Sequence, residues 1–301
     1  MRPTWIGVYP AVTTKFHEDQ SLDLELFAFN IEKQIEAGVH GIIINGSLGE
    51  NGTLSTEEKY LLLETAKEAI KGRVPLVICI AECTTVNAIN FAKETAKRGV
   101  DGFMLLPPMR YHADEREILT YLNKVADATE LPVMLYNNPL AYGNRITIPM
   151  FKDLAKNAKF EAMKESTGDI RYMTDILNEL GDRYKIMSGV DDLAMESLVM
   201  GADGWVAGLV DAFPRETVVI YELVKQGRIE EARSIYRWFY PLLHLDVSTK
   251  FAQNIKLAEV ATGLGSEWVR EPRMPLAGEE RAFVLSVIEE SLKTRPVLPK
   301  I

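Results

Sequence analysis

The chain has 301 residues, 47% of them apolar and 26% charged, with a formal net charge of -9. So much apolar content excludes a disordered chain, and the length suits one large α/β domain or two smaller ones. The acidic balance repels phosphate backbones and anionic lipid, which argues against nucleic acid or membrane as a partner, and no apolar run approaches the roughly 18–20 residues needed to cross a bilayer.

In chain order, short apolar runs alternate with longer amphipathic stretches. The runs Trp5–Val12, Gly41–Asn45, Pro75–Ile80, Gly102–Leu106, Pro132–Tyr136, Phe160–Lys164, Tyr184–Ser188 and Gly204–Leu209 predict strands. They are apolar on both faces, as parallel strands covered by helices must be. Helical spacing fills the intervals: Leu22–Ala37, Thr56–Ile70, Thr85–Arg98, Asp114–Ala128, Pro149–Lys156, Asp169–Leu180, Asp192–Met200 and Pro214–Gln226. Ser55 or Thr56 can cap the second of these, with Glu57 and Glu58 in its first turn.

Eight strand–helix units at spacings of about 20–35 residues fit a closed barrel or a long doubly wound sheet. No Gly-x-Gly-x-x-Gly follows the first strand, which favours an α/β (β/α)8 TIM barrel. After Gln226 the alternation stops, and Ile229–Leu243, Phe251–Gly263 and Glu279–Thr294 predict helices with no strand between them. The expected organisation is a catalytic barrel over 1–226 and a C-terminal helical extension over 227–301, packed on the barrel.

Active sites of such barrels lie at the carboxyl ends of the strands. There the sequence places Gly46-Ser47-Leu48-Gly49-Glu50, Tyr136-Asn137-Asn138-Pro139, Lys164-Glu165-Ser166 and Ser188-Gly189-Val190-Asp191-Asp192. A lysine desolvated at a strand end can supply free amine to attack a carbonyl; otherwise Lys164 is a rim lysine paired with Glu165 or Asp169. Tyr136 is either a proton relay beside an imine or packing surface. The Gly46–Gly49 turn can offer backbone N–H groups to an anion. His17, His40, His112 and His244 are scattered with no ligand spacing, so no metal is expected. Cys79 and Cys83 lack a second pair and fit a reducing cytoplasm. Neither a Gly-x-Ser-x-Gly elbow nor a P-loop is present.

Together these motifs resemble the N-acetylneuraminate lyase/dihydrodipicolinate synthase family of class I Schiff-base aldolases. The likeness spans the chain: Gly7-Val8-Tyr9-Pro10-Ala11-Val12-Thr13-Thr14, the Gly46–Glu50 loop, Tyr136-Asn137-x-Pro139, Lys164-Glu165-Ser166, Ser188-Gly189-x-Asp191-Asp192 and Arg270-x-Pro272-Arg273-x-Pro275-Leu276. The resemblance implies that Lys164 forms the Schiff base, that Tyr136 transfers protons and that Ser47 supplies the relay hydroxyl. It implies that Gly46 and the Ser47 and Leu48 amides cradle the substrate carboxylate, while Gly189 and Val206 line the pocket. It further implies a homotetramer built from dimers, a small-molecule substrate and no cofactor.

Three departures narrow the expectation. Leu48 replaces the threonine normal in the synthases. The loop after strand 4 normally supplies a tyrosine across a subunit boundary, and here it reads Pro107-Pro108-Met109-Arg110-Tyr111, which makes Arg110 and Tyr111 candidate substrate contacts. Ala141 stands where the synthases carry the arginine for the second substrate's carboxylate. The loop Asn45–Asn51 and the segment Val269–Arg281 resemble most the pyrroline-4-hydroxy-2-carboxylate deaminase branch. The resemblance therefore implies a deaminase/dehydratase yielding 2,5-dioxopentanoate and ammonia, with an aldolase or dehydratase of 2-oxo sugar acids as the alternative. A dihydrodipicolinate synthase or a non-catalytic 2-oxo acid sensor ranks below both.

Overall fold

Buried β-branched and aliphatic runs form eight strands: β1 (Gly7–Pro10), β2 (Ile42–Ile44), β3 (Leu76–Ile80), β4 (Gly102–Leu105), β5 (Val133–Asn137), β6 (Phe160–Glu165), β7 (Lys185–Ser188) and β8 (Gly204–Ala207). In the computed structural model, which describes residues 1–301, neighbouring strands pair in parallel in the order β1-β8-β7-β6-β5-β4-β3-β2. The sheet closes between its two ends, where Ala11 bridges Ile43 in parallel, Val12 N–H donates to Ile43 O at 2.9 Å and His40 N–H to Val8 O at 2.8 Å. This is the (β/α)8 barrel expected from the alternation.

The outer helices are α1 (Leu24–Glu36), α2 (Thr56–Ile70), α3 (Thr85–Lys97), α4 (Glu115–Ala126), the short α5 (Pro139–Tyr142), α6 (Ile148–Leu154), α7 (Ile170–Leu180), α8 (Ala194–Val199) and α9 (Pro214–Lys225). Short polar side chains satisfy orphan N–H groups at their starts, as at Asp23, Thr84 and Asp169. Ser55, not Thr56, caps α2, in a reciprocal box with Glu58; Asp114 and Glu117 do the same for α4. Three helices follow the barrel without a strand: α10 (Ile229–Leu243), α11 (Phe251–Thr262) and α12 (Gly278–Lys293), with a 3-10 turn over His244–Val247 between the first two.

Two apolar layers result. One lies between strands and helices. The other fills the barrel itself: Tyr9, Ile43, Val77, Cys79, Met104, Met134, Ala162, Met187 and Val206 all point inward, stacked as in other closed parallel barrels. Boundaries differ from expectation where local geometry intervenes. Trp5 adopts a left-handed backbone, φ 55°, so β1 starts at Gly7. Its indole donates to Glu161 Oε2 at 3.0 Å at the amino end of the barrel. The expected helix from Asp192 opens with a 3-10 turn, Asp191–Leu193. α5 was not expected at all: Asn138 caps it, Pro139 starts it and Gly143, φ 74°, ends it.

Candidate active site

Period-2 alternation decides what reaches the barrel mouth. Counting two residues beyond an inward-facing one, Met134 leads to Tyr136, Ala162 to Lys164, Met187 to Gly189 and Val206 to Gly208. Those four positions form the uppermost inward layer of β5 to β8. Tyr136 and Lys164 are register partners, and the Lys164 Nζ lies 4.3 Å from the centroid of the Tyr136 ring. Both residues are buried, at 5% and 7% exposure. The rim pairing that sequence left open does not form: Glu165 accepts from Thr167 N–H at 2.9 Å, and Asp169 pairs with Arg171.

Gly189 makes room for this lysine. A Cβ there would stand 2.7 Å from Lys164 Cε and collide with Ser166 Oγ. Ser166 Oγ donates to Gly189 O at 3.0 Å, which fixes the β6 and β7 ends against each other. Val206 sits in the same inner layer, 1% exposed.

Across the mouth, β2 runs into Gly46-Ser47-Leu48-Gly49. Glu50 N–H donates to Ser47 O at 3.1 Å and Asn51 N–H to Gly46 O at 3.2 Å, which folds the segment into a turn. The Ser47 and Leu48 N–H groups find no acceptor within the protein. Two adjacent unengaged backbone donors are what an anionic ligand group requires.

Sequence reasoning missed Tyr142. Helix α5 carries it back over the mouth, where its hydroxyl hydrogen-bonds Ser47 Oγ and its ring meets Tyr136 edge-on, centroids 6.1 Å apart. Burial, with a further contribution from Tyr136, pushes the Tyr142 phenol well above its ordinary range. Tyr136 OH accepts from Asn138 Nδ2 at 3.0 Å. The run Asn138-Pro139-Leu140-Ala141-Tyr142-Gly143 carried the signal, since Asn, Pro and Gly are the start, first-turn and stop residues of a helix.

Arg110 and Tyr111 are not brought to this group. The Arg110 guanidinium donates to Cys83 Sγ at 3.2 and 3.3 Å, and Tyr111 is 55% exposed. At β7 and β8, Asp191 is consumed by structure: Trp205 Nε1 and Leu209 N–H each donate to it at 2.8 Å, and Gly208 N–H at 3.2 Å. No three His, Cys, Asp or Glu side chains gather as a metal site. No helix is long and apolar enough to cross a membrane.

The arrangement can hold a small anion at one side, present an amine to its carbon skeleton and pass protons through phenols and a hydroxyl. Comparison with known proteins agrees in kind. The sequence signature of the Dihydrodipicolinate synthetase family matches residues 4–291. A 4-hydroxy-tetrahydrodipicolinate synthase from Exiguobacterium sibiricum is 31% identical over 283 residues, 94% of this chain and 96% of that protein. The solved 4-hydroxy-tetrahydrodipicolinate synthase of Methylacidiphilum fumariolicum SolV superposes with a TM-score of 0.89 at 30% identity, covering 96% of this chain and 97% of the other. YagE, a prophage protein of the dihydrodipicolinic acid synthase family from E. coli K12 solved with pyruvate, gives a TM-score of 0.90 at 25% identity, covering 96% and 99%.

Proposed function

The chain belongs to the Dihydrodipicolinate synthetase family and is a class I aldolase-type lyase; from that premise we propose that Lys164 forms a Schiff base with a hydroxylated 2-oxo acid or its cyclic imine. The observation that carries this reading is the Lys164 amine, buried against Tyr136 with no carboxylate in direct ion-pair contact. An iminium at C2 is an electron sink, which makes a C3 proton removable or a C3–C4 bond breakable. In this reading the Ser47 and Leu48 amides hold the substrate carboxylate. Tyr136 and Ser47 move protons, with Tyr142 completing the chain that a tyrosine after β4 supplies in the synthases. Arg110 and Tyr111 would serve a neighbouring subunit's mouth in a homotetramer, and exposed Leu140 and Tyr111 offer apolar surface for that assembly.

The reaction we favour is deamination with dehydration of pyrroline-4-hydroxy-2-carboxylate. Lys164 adds to the ring C=N carbon, and transimination opens the ring and frees the nitrogen as an amine on C5. Loss of a C3 proton expels the C4 hydroxyl as water. Tautomerisation moves the unsaturation to a terminal imine. Water hydrolyses that imine to ammonia and an aldehyde, and a second water releases 2,5-dioxopentanoate from Lys164. Net, one water is consumed and one ammonia leaves. Ala141, in place of an arginine, is consistent with a single carboxylate-bearing substrate.

The pyruvate complex of YagE favours a second reading, aldol cleavage of a 2-oxo sugar acid to pyruvate on the same residues. A panel of hydroxypyrroline carboxylates and 2-oxo sugar acids, with ammonia and pyruvate both assayed, separates them. Ammonia from the hydroxypyrroline is the expected result; pyruvate from a sugar acid, with no ammonia from the imine, replaces the deaminase by the aldolase.

A further inference from the structure

The helical extension puts one side chain into the barrel mouth. The 3-10 turn His244–Val247 is anchored on both sides of Asp246: His244 Nδ1 meets Asp192 Oδ2 at 2.9 Å, and Asn254 Nδ2 donates to Leu245 O at 2.9 Å. Leu245 is buried beneath the turn, whereas Asp246 keeps part of its surface open.

Asp246 lies over the top layer at the end of β8. Its Oδ1 is 2.5 Å from where a Cβ on Gly208 would be, so any other residue at 208 would drive the carboxylate out. Gly208 therefore does for Asp246 what Gly189 does for Lys164. The Lys164 charge acts on Asp246 and favours its ionised form, while crowding by protein, first, and Asp191 and Asp192, after it, push its pKa well up.

The neighbouring acids are occupied, Asp191 by Trp205 and backbone amides, Asp192 by His244. Asp246 alone receives no hydrogen bond and no ion pair. The Asp246 side chain keeps part of its surface open at the mouth, where a ligand can supply the donor that the protein does not.

We propose that Asp246 is a substrate-binding residue whose carboxylate accepts the polar hydrogens, hydroxyl or ammonium, borne by the substrate beyond C3. This rests on the reading of Lys164 as the group that holds C2. The extension would thus select among 2-oxo acids that the barrel activates alike, favouring a distal hydroxyl or amine over a bare chain.

Calorimetric Kd values test this with three probes: pyruvate, which has no distal part, 3-deoxy-2-oxogluconate, which carries hydroxyls, and 5-amino-2-oxopentanoate with its cyclic imine. Asp246→Ala should weaken one or both longer acids by about tenfold to a hundredfold, the usual worth of a hydrogen bond to a charged group. Pyruvate should stay within about twofold, and the melting temperature should not fall. Which longer acid responds tells whether a hydroxyl or an amine is recognised. Equal weakening of all three probes, or of none, overturns the proposal. If Asp246→Ala does not fold, the near-isosteric Asp246→Asn carries the same comparison. Borohydride reduction of the wild-type enzyme with pyruvate is scored separately: absence of an adduct on Lys164 refutes the Schiff-base reading, while the Kd ratios still decide for Asp246.

Discussion

At the seam between barrel and extension, Lys256 is fully buried and donates to Glu50 Oε1 at 2.6 Å and Trp268 O at 2.7 Å. Lys15, equally buried, lies 2.7 Å from Glu259 Oε1. At the mouth, Lys164 is buried almost as deeply and faces a phenol ring in place of a carboxylate. A buried cation with a matched counter-ion is held in one place, which suits a fastener. One that no carboxylate fastens is left available for covalent chemistry. Even with its carboxylate, burial draws the Lys256 ammonium down to about 8. What differs is the company each keeps, and the strands and loops set that. Glu50 holds Lys256 from the end of the loop that carries the Ser47 and Leu48 amides, so the seam also steadies the cradle.

Exchanging the two lysines' fates is the strongest way to break the comparison. Lys164→Ala should lower turnover on the order of 10⁵–10⁶-fold, as removal of a covalent nucleophile does, with no loss in melting temperature. Lys256→Met should take from the Glu50 carboxylate its nearest counter-ion, leaving it the Arg270 N–H at 3.1 Å and Arg273 at 3.9 Å, and cost about 3–5 kcal/mol in urea unfolding. Adding Glu50→Gln to it should recover part of that loss. A destabilised Lys164→Ala would place both lysines in the same structural class. Next in size is the proton relay. Tyr136→Phe should lower kcat by about 10²–10⁴-fold while borohydride still traps an adduct on Lys164. Tyr142→Phe should lower kcat less than Tyr136→Phe, because Tyr142 hydrogen-bonds Ser47 whereas Tyr136 lies against the Lys164 amine. An unchanged kcat in Tyr136→Phe removes it from the relay.

Much of this was legible in the sequence, and for identifiable reasons. Eight apolar runs divided by capped amphipathic stretches leave little choice but a barrel once a dinucleotide loop is missing. Lys164 and Tyr136 were legible because they end their strands, and strand ends point to one mouth. Asp191 could be read as a strand-end group but not as one engaged by Trp205, since that requires the β7–β8 register. Tyr142 lay hidden in a segment that reads as a proline turn, although Asn138 and Gly143 were both signals of a short helix. Asp246 could not be found at all. It lies about 80 residues beyond Lys164 in a turn between two helices, and only packing of the extension over Gly208 brings it to the mouth.

Glu165 sharpens the comparison most finely, because it is the chain neighbour of Lys164 and points the other way. Alternation along β6 turns it out of the barrel toward Ile170 and Met173 of α7, where it is 9% exposed. Burial raises its pKa to about 7, against hydrogen bonds from Thr167 that pull it down. A carboxyl whose folded pKa is raised binds more protons in the native state than in the unfolded chain, whose glutamate titrates near 4.3. Its contribution to stability is therefore full below about pH 4 and is lost as pH rises through about 7. Glu165→Gln abolishes that loss, so the variant should gain on wild type between pH 5 and pH 8, by up to about 3 kcal/mol. Urea unfolding of both proteins at the two pH values measures this, and the raised carboxyls of Asp191, Asp211 and Asp246, common to both, cancel in the difference. Adduct formation on Lys164 should be unchanged. The opposite result, a variant less stable at pH 8 and slow to form the adduct, would mean that Glu165 pairs with Lys164 after all, and the mouth would then hold a fastened lysine like the one at the seam.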